Sequence, residues 1–402
     1  MPLSCALRTY HGSAVSSAGA LALFVALALL TGASFLIQSF NSLSNADPGF
    51  DTEGLLTFQI AVLEDRYVED ESVVAYQDEL LRVLGEIPGV EGVAVMSSLP
   101  RGRGNPSTRY TVDGRPALEP TEQPTAGLQS VNPTYFETLQ IDLLQGRLLE
   151  ESDRLDGQRV AVVSQALVDR EFPDVDPLGK SLSARYESWM IVGVTENIIQ
   201  DRIALAGDNG EAIYVPLAQR PLRSPSFALK TSVTEPASLA ADVRRAVWSV
   251  EADQPLAQLR SFEDHEAESL AGPRAISSFL TVMAILALVL AAMGIYGVMA
   301  HTVAQQTREI GIRIALGAGR GNVVGMVTRS GMTLAGIGML LGAPLVFLMH
   351  RGVLSTLGLF ESEITFTYAY WVTAALAAVA ALSTYLPARR ASGVQPVVAL
   401  KD

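Results

Sequence analysis

Three stretches of this chain carry no charged side chain over a length that can cross a bilayer: Ile276 to Ala300, Gly331 to Met349 and Phe366 to Leu386. A helix rises about 1.5 Å per residue, so roughly 20 apolar residues span the hydrocarbon core of a membrane. A fourth run, Ala18 to Ile37, lies near the N-terminus. It has a rival reading as a cleaved signal sequence, because it follows a short N-region with small residues nearby. Its apolar length exceeds a usual signal core and only Arg8 precedes it, which favours a retained helix.

Lysine and arginine in the short loops set the orientation. Arg308, Arg313, Arg320 and Arg329 stand against Glu309 alone between the runs Ile276–Ala300 and Gly331–Met349, and Arg389, Arg390 and Lys401 follow the run Phe366–Leu386. Those flanks are expected inside. The connection at Arg351, Glu361 and Glu363 is followed by Tyr368, Tyr370 and Trp371 at the position of an interfacial aromatic belt, and is expected outside. With four spans both termini are inside, and everything from about Ser39 to Pro273 lies on the outer side.

The charge divides the same way. The chain's net charge of −13 comes from its exported part, where Phe40 to Arg274 holds 38 acidic and 20 basic side chains. No basic face for nucleic acid is present. More than 200 residues suffice for a core, and two are expected, since domains commonly run to about 100–150 residues. The single cysteine, Cys5, falls on the inner side, so packing without disulfides must stabilise the exported part.

Within it the pattern is mixed. Leu55 to Leu63 reads as a strand, Ser72 to Ile87 as a helix with Val73, Tyr76, Leu80, Leu81 and Leu84 inward, and Val90 to Met96 as a strand after Pro88-Gly89, together a βαβ-like unit. Loose stretches at Pro100 to Pro106 and Pro116 to Pro124 are candidate boundaries or insertion edges. Then follow a short helix at Pro133 to Leu139, a strand at Arg159 to Val163 and a helix at Gln165 to Phe172. Further strands are read at Trp189 to Val194, Ala212 to Val215 and Phe227 to Val233. Leu239, Val243, Val247 and Val250 have helical spacing, and the polar run Ser261 to Arg274 is expected to continue as a helix into the second span.

Motifs for chemistry are few. Gly179-Lys180-Ser181 resembles the end of a phosphate-binding loop, but Asp174 stands where that loop needs a glycine, and Pro177 suggests a turn. His265-Glu266-Ala267-Glu268-Ser269 lacks the second histidine of a zinc protease, so a solvated acidic face is the better reading. No G-x-S-x-G elbow occurs. His11, His301 and His350 lie before or at the spans, leaving His265 alone for an exported active site. The many carboxylates show no spacing that singles out a pair.

The loop Thr307 to Val323 is different. Ile310 and Ile314 lie one turn apart with Gly311 and Ala315 extending that face, while Arg308 and Arg313 point elsewhere; a short helix along the inner leaflet would be stopped by Gly317 and Gly319. Two readings stand side by side: a surface shaped for another protein's close approach, and a basic loop that obeys the positive-inside rule. Gly338 and Gly342 form a G-x-x-x-G on the third span, a helix-packing face, and Pro344 is expected to kink that helix.

Thr307 to Gly319 resembles the signature loop of FtsX-like, MacB-type ABC transporter permeases, and Pro387-Ala388-Arg389-Arg390-Ala391, with Pro396 and Ala399-Leu400, resembles their ending. Asp47-Pro48-Gly49-Phe50-Asp51, Asn132-Pro133-Thr134-Tyr135-Phe136 and Asp176-Pro177-Leu178-Gly179-Lys180 resemble the exported core domain of that family. The likeness covers nearly the whole chain and is closest to one half of the duplicated permeases of Acidobacteria. The first eighteen residues lack the usual basic, amphipathic lead-in and Gln395 replaces a common acid, so a split or truncated copy is expected.

The resemblance implies an α-helical membrane protein with four transmembrane helices and a large α+β extracytoplasmic domain of two lobes, one porter-like and one inserted. Its layout would be a cytoplasmic N-terminus at 1–17, a first span at 18–38, the core domain at 39–273 and a permease domain at 274–402. The latter would hold spans at about 276–300, 330–349 and 367–386, an inner loop at 301–329 and a tail at 387–402. It implies no catalysis, metal or cofactor in this chain: ATP would be bound by a separate ABC ATPase subunit, touched by Arg308, Glu309, Gly311, Arg313, Leu316 and Gly317. Further implied partners are a second copy or a sister half, an envelope adaptor and the lipid bilayer of the bacterial cytoplasmic membrane. The implied function is mechanotransmission, with ATP hydrolysis moving the exported domain for export. An FtsX-like regulator of a cell-wall hydrolase and a membrane-anchored enzyme remain the alternatives.

Overall fold

In a computed structural model the described residues are 48–101, 107–115, 119, 121–200, 210–306 and 367–391, with residue 30 and isolated positions between 312 and 344. Two compact units emerge, one of residues 45–272 and one combining 1–44 with 273–402. Of the expected first span only residue 30 is described, and of the third only isolated positions; the G-x-x-x-G at Gly338 and Gly342 lies outside the described residues.

The first unit begins with strand β1 (Leu55–Ile60), helix α1 (Asp70–Gly85) and strand β2 (Val90–Met96). Val73, Tyr76, Leu80 and Leu84 of α1 are buried as their spacing predicts. Leu81 is only partly buried, and the neighbouring inward position is filled by Gln77. The turn between α1 and β2 uses Gly89 at a φ of +92°, a conformation open to glycine at little cost.

β1 and β2 are not neighbours. Strand β10 (Ser226–Thr231) lies between them and pairs antiparallel with both. β10 leads through a 3-10 turn (Pro236–Leu239) to a helix at Ala240–Val250 and on to strand β11 (Leu256–Ser261), which pairs with the other edge of β1. The sheet order is β11-β1-β10-β2, built from two split β-α-β units. Alternate strand residues Leu56, Phe58, Ile60, Val93, Val95, Phe227 and Leu229 face the two helices and form one core with them.

Everything between β2 and β10 is an insertion. It holds β3 (Ser107–Val112), β4 (Thr125–Val131), α2 (Tyr135–Thr138), β5 (Leu143–Gly146), β6 (Val160–Ser164), α3 (Gln165–Glu171), β7 (Ser181–Ala184), β8 (Glu187–Thr195) and β9 (Ala212–Pro216). We number the later helices α4 (Ala240–Val250), α5 (Phe262–Gln305) and α6 (Thr367–Ala391). The pairings β4-β3-β7-β8-β6-β9 return to β4, so six strands close on themselves and leave none of the six with a free edge in the ring. Tyr110, Leu128, Leu182, Trp189, Ile191 and Ile213 help fill the interior, with Leu167 and Phe172 of the α3 segment against them.

A third core joins the two lobes. In β6, Ala161 and Val163 face the ring interior while Val160 and Val162 face outward, and in β9 Ile213 and Val215 alternate with Ala212 and Tyr214 in the same way. The outward set meets Leu55, Ala94 and Ala228 from the other face of the first sheet, with Tyr135, Phe136 and Phe262 between. The insertion runs from the end of β2 to the start of β10, so Pro100 to Pro106 falls at its leading edge, whereas Pro116 to Pro124 is neither a boundary nor an edge and falls inside it as the β3–β4 connection.

In the second unit, the described parts of α5 and α6 share a seam of Ala291, Ile295, Val298, Met299, Leu376, Ala380 and Ala388. Ile276, Phe279, Val282, Leu286, Leu290 and Met293 remain exposed along α5. Among the described residues α5 is the helix long and apolar enough to cross a membrane, and an apolar exposed stripe of this kind suits lipid.

Candidate functional site

Arg308, Glu309, Gly311, Arg313, Leu316 and Gly317, the residues assigned to ATPase contact, lie outside the described residues. What the structure does show is how the helix leading toward them begins. Ser261 at the end of β11 accepts the Asp264 N–H on its Oγ at 3.1 Å, satisfying one of the orphan donors of a helix start. Glu263 and Asp264 place negative charge in the first turn, where the helix dipole favours it.

Phe262 anchors that start by packing. It is 1% exposed, and its ring meets Phe50 edge-to-face at 5.6 Å between centroids. Phe50 in turn is held by the turn at Pro48-Gly49: a Cβ on Gly49 would stand 2.3 Å from the Asn197 carbonyl oxygen, at a φ of +76°. One of the sequence motifs is thus a structural turn beneath the helix.

Ion pairs complete the root of α5. Arg101, 3% exposed, meets Glu266 at 2.9 Å, and its own N–H donates to the Gln200 carbonyl at 2.8 Å. Arg260 pairs with Glu268 and stands 3.0 Å from His265 Nδ1. Burial, and then the Arg260 charge, hold the His265 imidazole below its ordinary pKa, against a smaller opposing pull from Glu266. The His-Glu-Ala-Glu-Ser run is therefore a structural junction: His265 is turned inward and its two glutamates each pair with an arginine. Arg101 was not legible as a site, since it sits in a Pro/Gly/Arg-rich stretch with no periodicity to place it.

The other end of the described membrane segment is tied as well. Arg390 in the last turn of α6 donates to the Tyr296 hydroxyl of α5 at 2.7 Å.

Gly179-Lys180-Ser181 proves to be a turn entering β7. Asp176 Oδ1 accepts the Leu178 N–H at 3.0 Å, Gly179 N–H donates to Ile191 O at 2.9 Å, and Lys180 is exposed. No helix N-terminus follows it to receive a phosphate. Asn132-Pro133-Thr134-Tyr135-Phe136 is structural too: the Asn132 amide accepts from Val95 N–H at 2.8 Å and donates to Val93 O at 2.9 Å, fastening the insertion to β2.

A half-open cavity of about 510 Å³ lies between the outer face of α1 and the insertion. Among the described residues no cluster of His, Cys, Asp and Glu could hold a metal ion.

The profile of the MacB-like periplasmic core domain matches residues 18–247, and that of the FtsX-like permease C-terminal matches residues 281–396. The chain is 26% identical over 293 residues to the macrolide export ATP-binding/permease protein MacB of Neisseria gonorrhoeae, covering 69% of this chain and 43% of that protein. It is 28% identical over 336 residues to the ABC transporter permease YvrN of Bacillus subtilis, covering 77% of this chain and 78% of that protein. The chain thus spans less than half the length of the Neisseria protein. The periplasmic region of MacB from Actinobacillus actinomycetemcomitans aligns with 56% of this chain and 97% of its own, at 17% identity and a TM-score of 0.36.

Proposed function

The chain belongs to the family of ABC transporter permeases that join a MacB-like periplasmic core domain to an FtsX-like permease domain, and from that membership we propose that it is the permease subunit of a mechanotransmission system. A separate ABC ATPase binds the inner loop through Arg308, Glu309, Gly311, Arg313, Leu316 and Gly317, and its cycle of closing and opening moves the membrane helices as levers. Four spans carry the exported domain on the outer side of the bacterial cytoplasmic membrane, and its motion serves export. The permease works as a pair, with itself or with a sister half, and an envelope adaptor is a further partner.

The observation that carries this reading is the 44-residue helix α5. Its first turn is held in the exported unit by Phe262 and by the Arg101–Glu266 pair, and the same helix includes the uncharged run Ile276 to Ala300. A helix so fastened at its start suits the transmission of displacement, because packed interiors move as discrete bodies and do not deform continuously.

Two measurements test it. The tagged chain, purified from its native membrane in mild detergent, should bring an ABC ATPase with it in stoichiometric ratio; its absence under several mild conditions would overturn the assignment. In the resulting complex, Glu309→Lys combined with Gly311→Trp should uncouple ATP hydrolysis from the permease while the chain still folds. Unchanged coupling in that variant would remove the inner loop from the contact.

A further inference from the structure

One guanidinium joins β11 to the start of α5. Arg260 on β11 pairs with Glu268 through Nη1, and its Nη2 donates both to Gln258 Oε1 at 3.1 Å and to His265 Nδ1 at 3.0 Å. A bulge brings Gln258 to that place: between the pairs Thr57–Arg260 and Gln59–Ala257, β11 carries one more residue than β1, and Gln258 sits at a φ of +54°. The Arg260 carbonyl accepts the Thr57 hydroxyl at 3.2 Å, which fastens the arginine's own backbone to the sheet. The fork thus has one acceptor on its strand and two on the helix.

That geometry fixes the protonation state of the imidazole. A guanidinium has donors only, so His265 Nδ1 meets Arg260 with a lone pair and the ring hydrogen stands on Nε2. Nε2 is buried and has no hydrogen-bond partner. Among the described residues the charged groups about the ring are Arg260 from β11, Arg101 from the segment after β2, which pairs with Glu266, and Glu263, Asp264, Glu266 and Glu268 of α5 itself. The Phe262 ring closes a further side, 6.0 Å away between centroids. Glu266 favours the protonated imidazole, whereas burial and Arg260 oppose it and prevail.

We propose that His265 is a proton-operated latch between β11 and α5, closed while the ring accepts from Arg260 and opened when a proton from the outer solvent occupies Nδ1. Protonation puts an Nδ1–H where the guanidinium N–H points, so the hydrogen bond is lost and two cations face each other across its former length. The ring then carries two donors in a pocket that already leaves Nε2 without an acceptor, and it turns toward water. What remains between this strand and helix is the Arg260–Glu268 pair, whose carboxylate is 67% exposed, and an ion pair screened by water in this way holds weakly. The consequence for function rests on the permease reading: acid on the outer side loosens the root of the lever, so that less of the displacement of α5 reaches the exported unit.

The test uses the full chain in nanodiscs of zwitterionic lipid, with Cys5→Ser and a nitroxide on a single introduced cysteine. Ala267→Cys reports on α5 beside the latch and Ala75→Cys on α1 as a control, both positions being exposed. Electron paramagnetic resonance spectra are compared at about pH 7.5 and about pH 5, the range in which an imidazole titrates. The mobile component at Ala267 should rise from a minor to the major part of the spectrum on acidification, and the Ala75 spectrum should not change. His265→Gln, which keeps an acceptor for Arg260 and does not titrate, and Arg260→Gln, which removes the opposing cation, should each abolish the rise. An Ala267 spectrum that is the same at both pH values, an equal rise at Ala75, or a rise that persists in His265→Gln would each overturn the latch. As no ATPase is present, such a result leaves the permease assignment standing.

Discussion

Trp189 shows how far a single residue could be read in advance. Its position in a strand follows from the apolar run around it, but its 0% exposure inside a closed ring of strands does not. There Arg159 covers the indole at 5.2 Å from the ring centroid, and the indole N–H is buried without a partner. Those facts predict losses of different size for two substitutions. Trp189→Ala should destabilise the exported unit by about 3–5 kcal/mol through the cavity it leaves. Trp189→Phe should cost less than about 1.5 kcal/mol, because it removes an unsatisfied donor along with the lost contact. Denaturant unfolding followed by circular dichroism checks both; a Phe variant as unstable as the Ala variant would show that the indole N–H is satisfied. Gln77 is absent from the inward face that apolar spacing predicts for α1, for a related reason. Its helical phase places it beside Tyr76 and Leu80, and the sequence offers no sign that its amide finds a backbone carbonyl on another element.

At the scale of the element, strongly periodic segments were legible and polar ones were not. α1, β2 and α4 occupy the stretches that apolar spacing predicts. The strands β3, β4, β5, β7 and β11 were missed, and their sequences explain it: STRYTV, TAGLQSV, LLQG, SLSA and LAQLRS mix small and polar residues, and pairing with neighbours makes them strands. The start of α5 carries a prediction of its own. His265 faces Arg260 from β11 and shares its helix turn with Glu266 and Glu268, and its folded pKa lies below the ordinary value of about 6.5. The unfolded chain therefore binds the proton more readily. The stability this neutral imidazole contributes is present above about pH 6.5 and is lost as pH falls through the folded pKa. The melting temperature should drop between about pH 7 and pH 5, and His265→Gln should flatten that dependence; an unaltered slope in the variant would place the titration elsewhere.

At the scale of the whole molecule, the exported unit of residues 45–272 has three packed cores of its own, the third shared by both lobes. Asn45 to Gly272 expressed alone should fold and unfold in one cooperative transition, since neither lobe can expose the shared core without disturbing the other; two well-separated transitions in denaturant would show that the lobes are independent. The sequence by itself determined the family of the chain, through motifs whose likeness the matched core and permease domains bear out. Its uncharged runs, basic loops and acidic excess predict membrane segments, their sidedness and an exported part, because transfer of charge into hydrocarbon is costly. Local spacing also placed the strongest helices and strands. Only the tertiary structure decided that β10 separates β1 from β2, that six insertion strands close on themselves, that Arg101 reaches Glu266 at the root of α5, and that an acid-lined cavity opens between the lobes. Each joins residues far apart in the chain, and no periodicity encodes which of many compatible edges and charges will meet. Their choice is made by the packing of the whole.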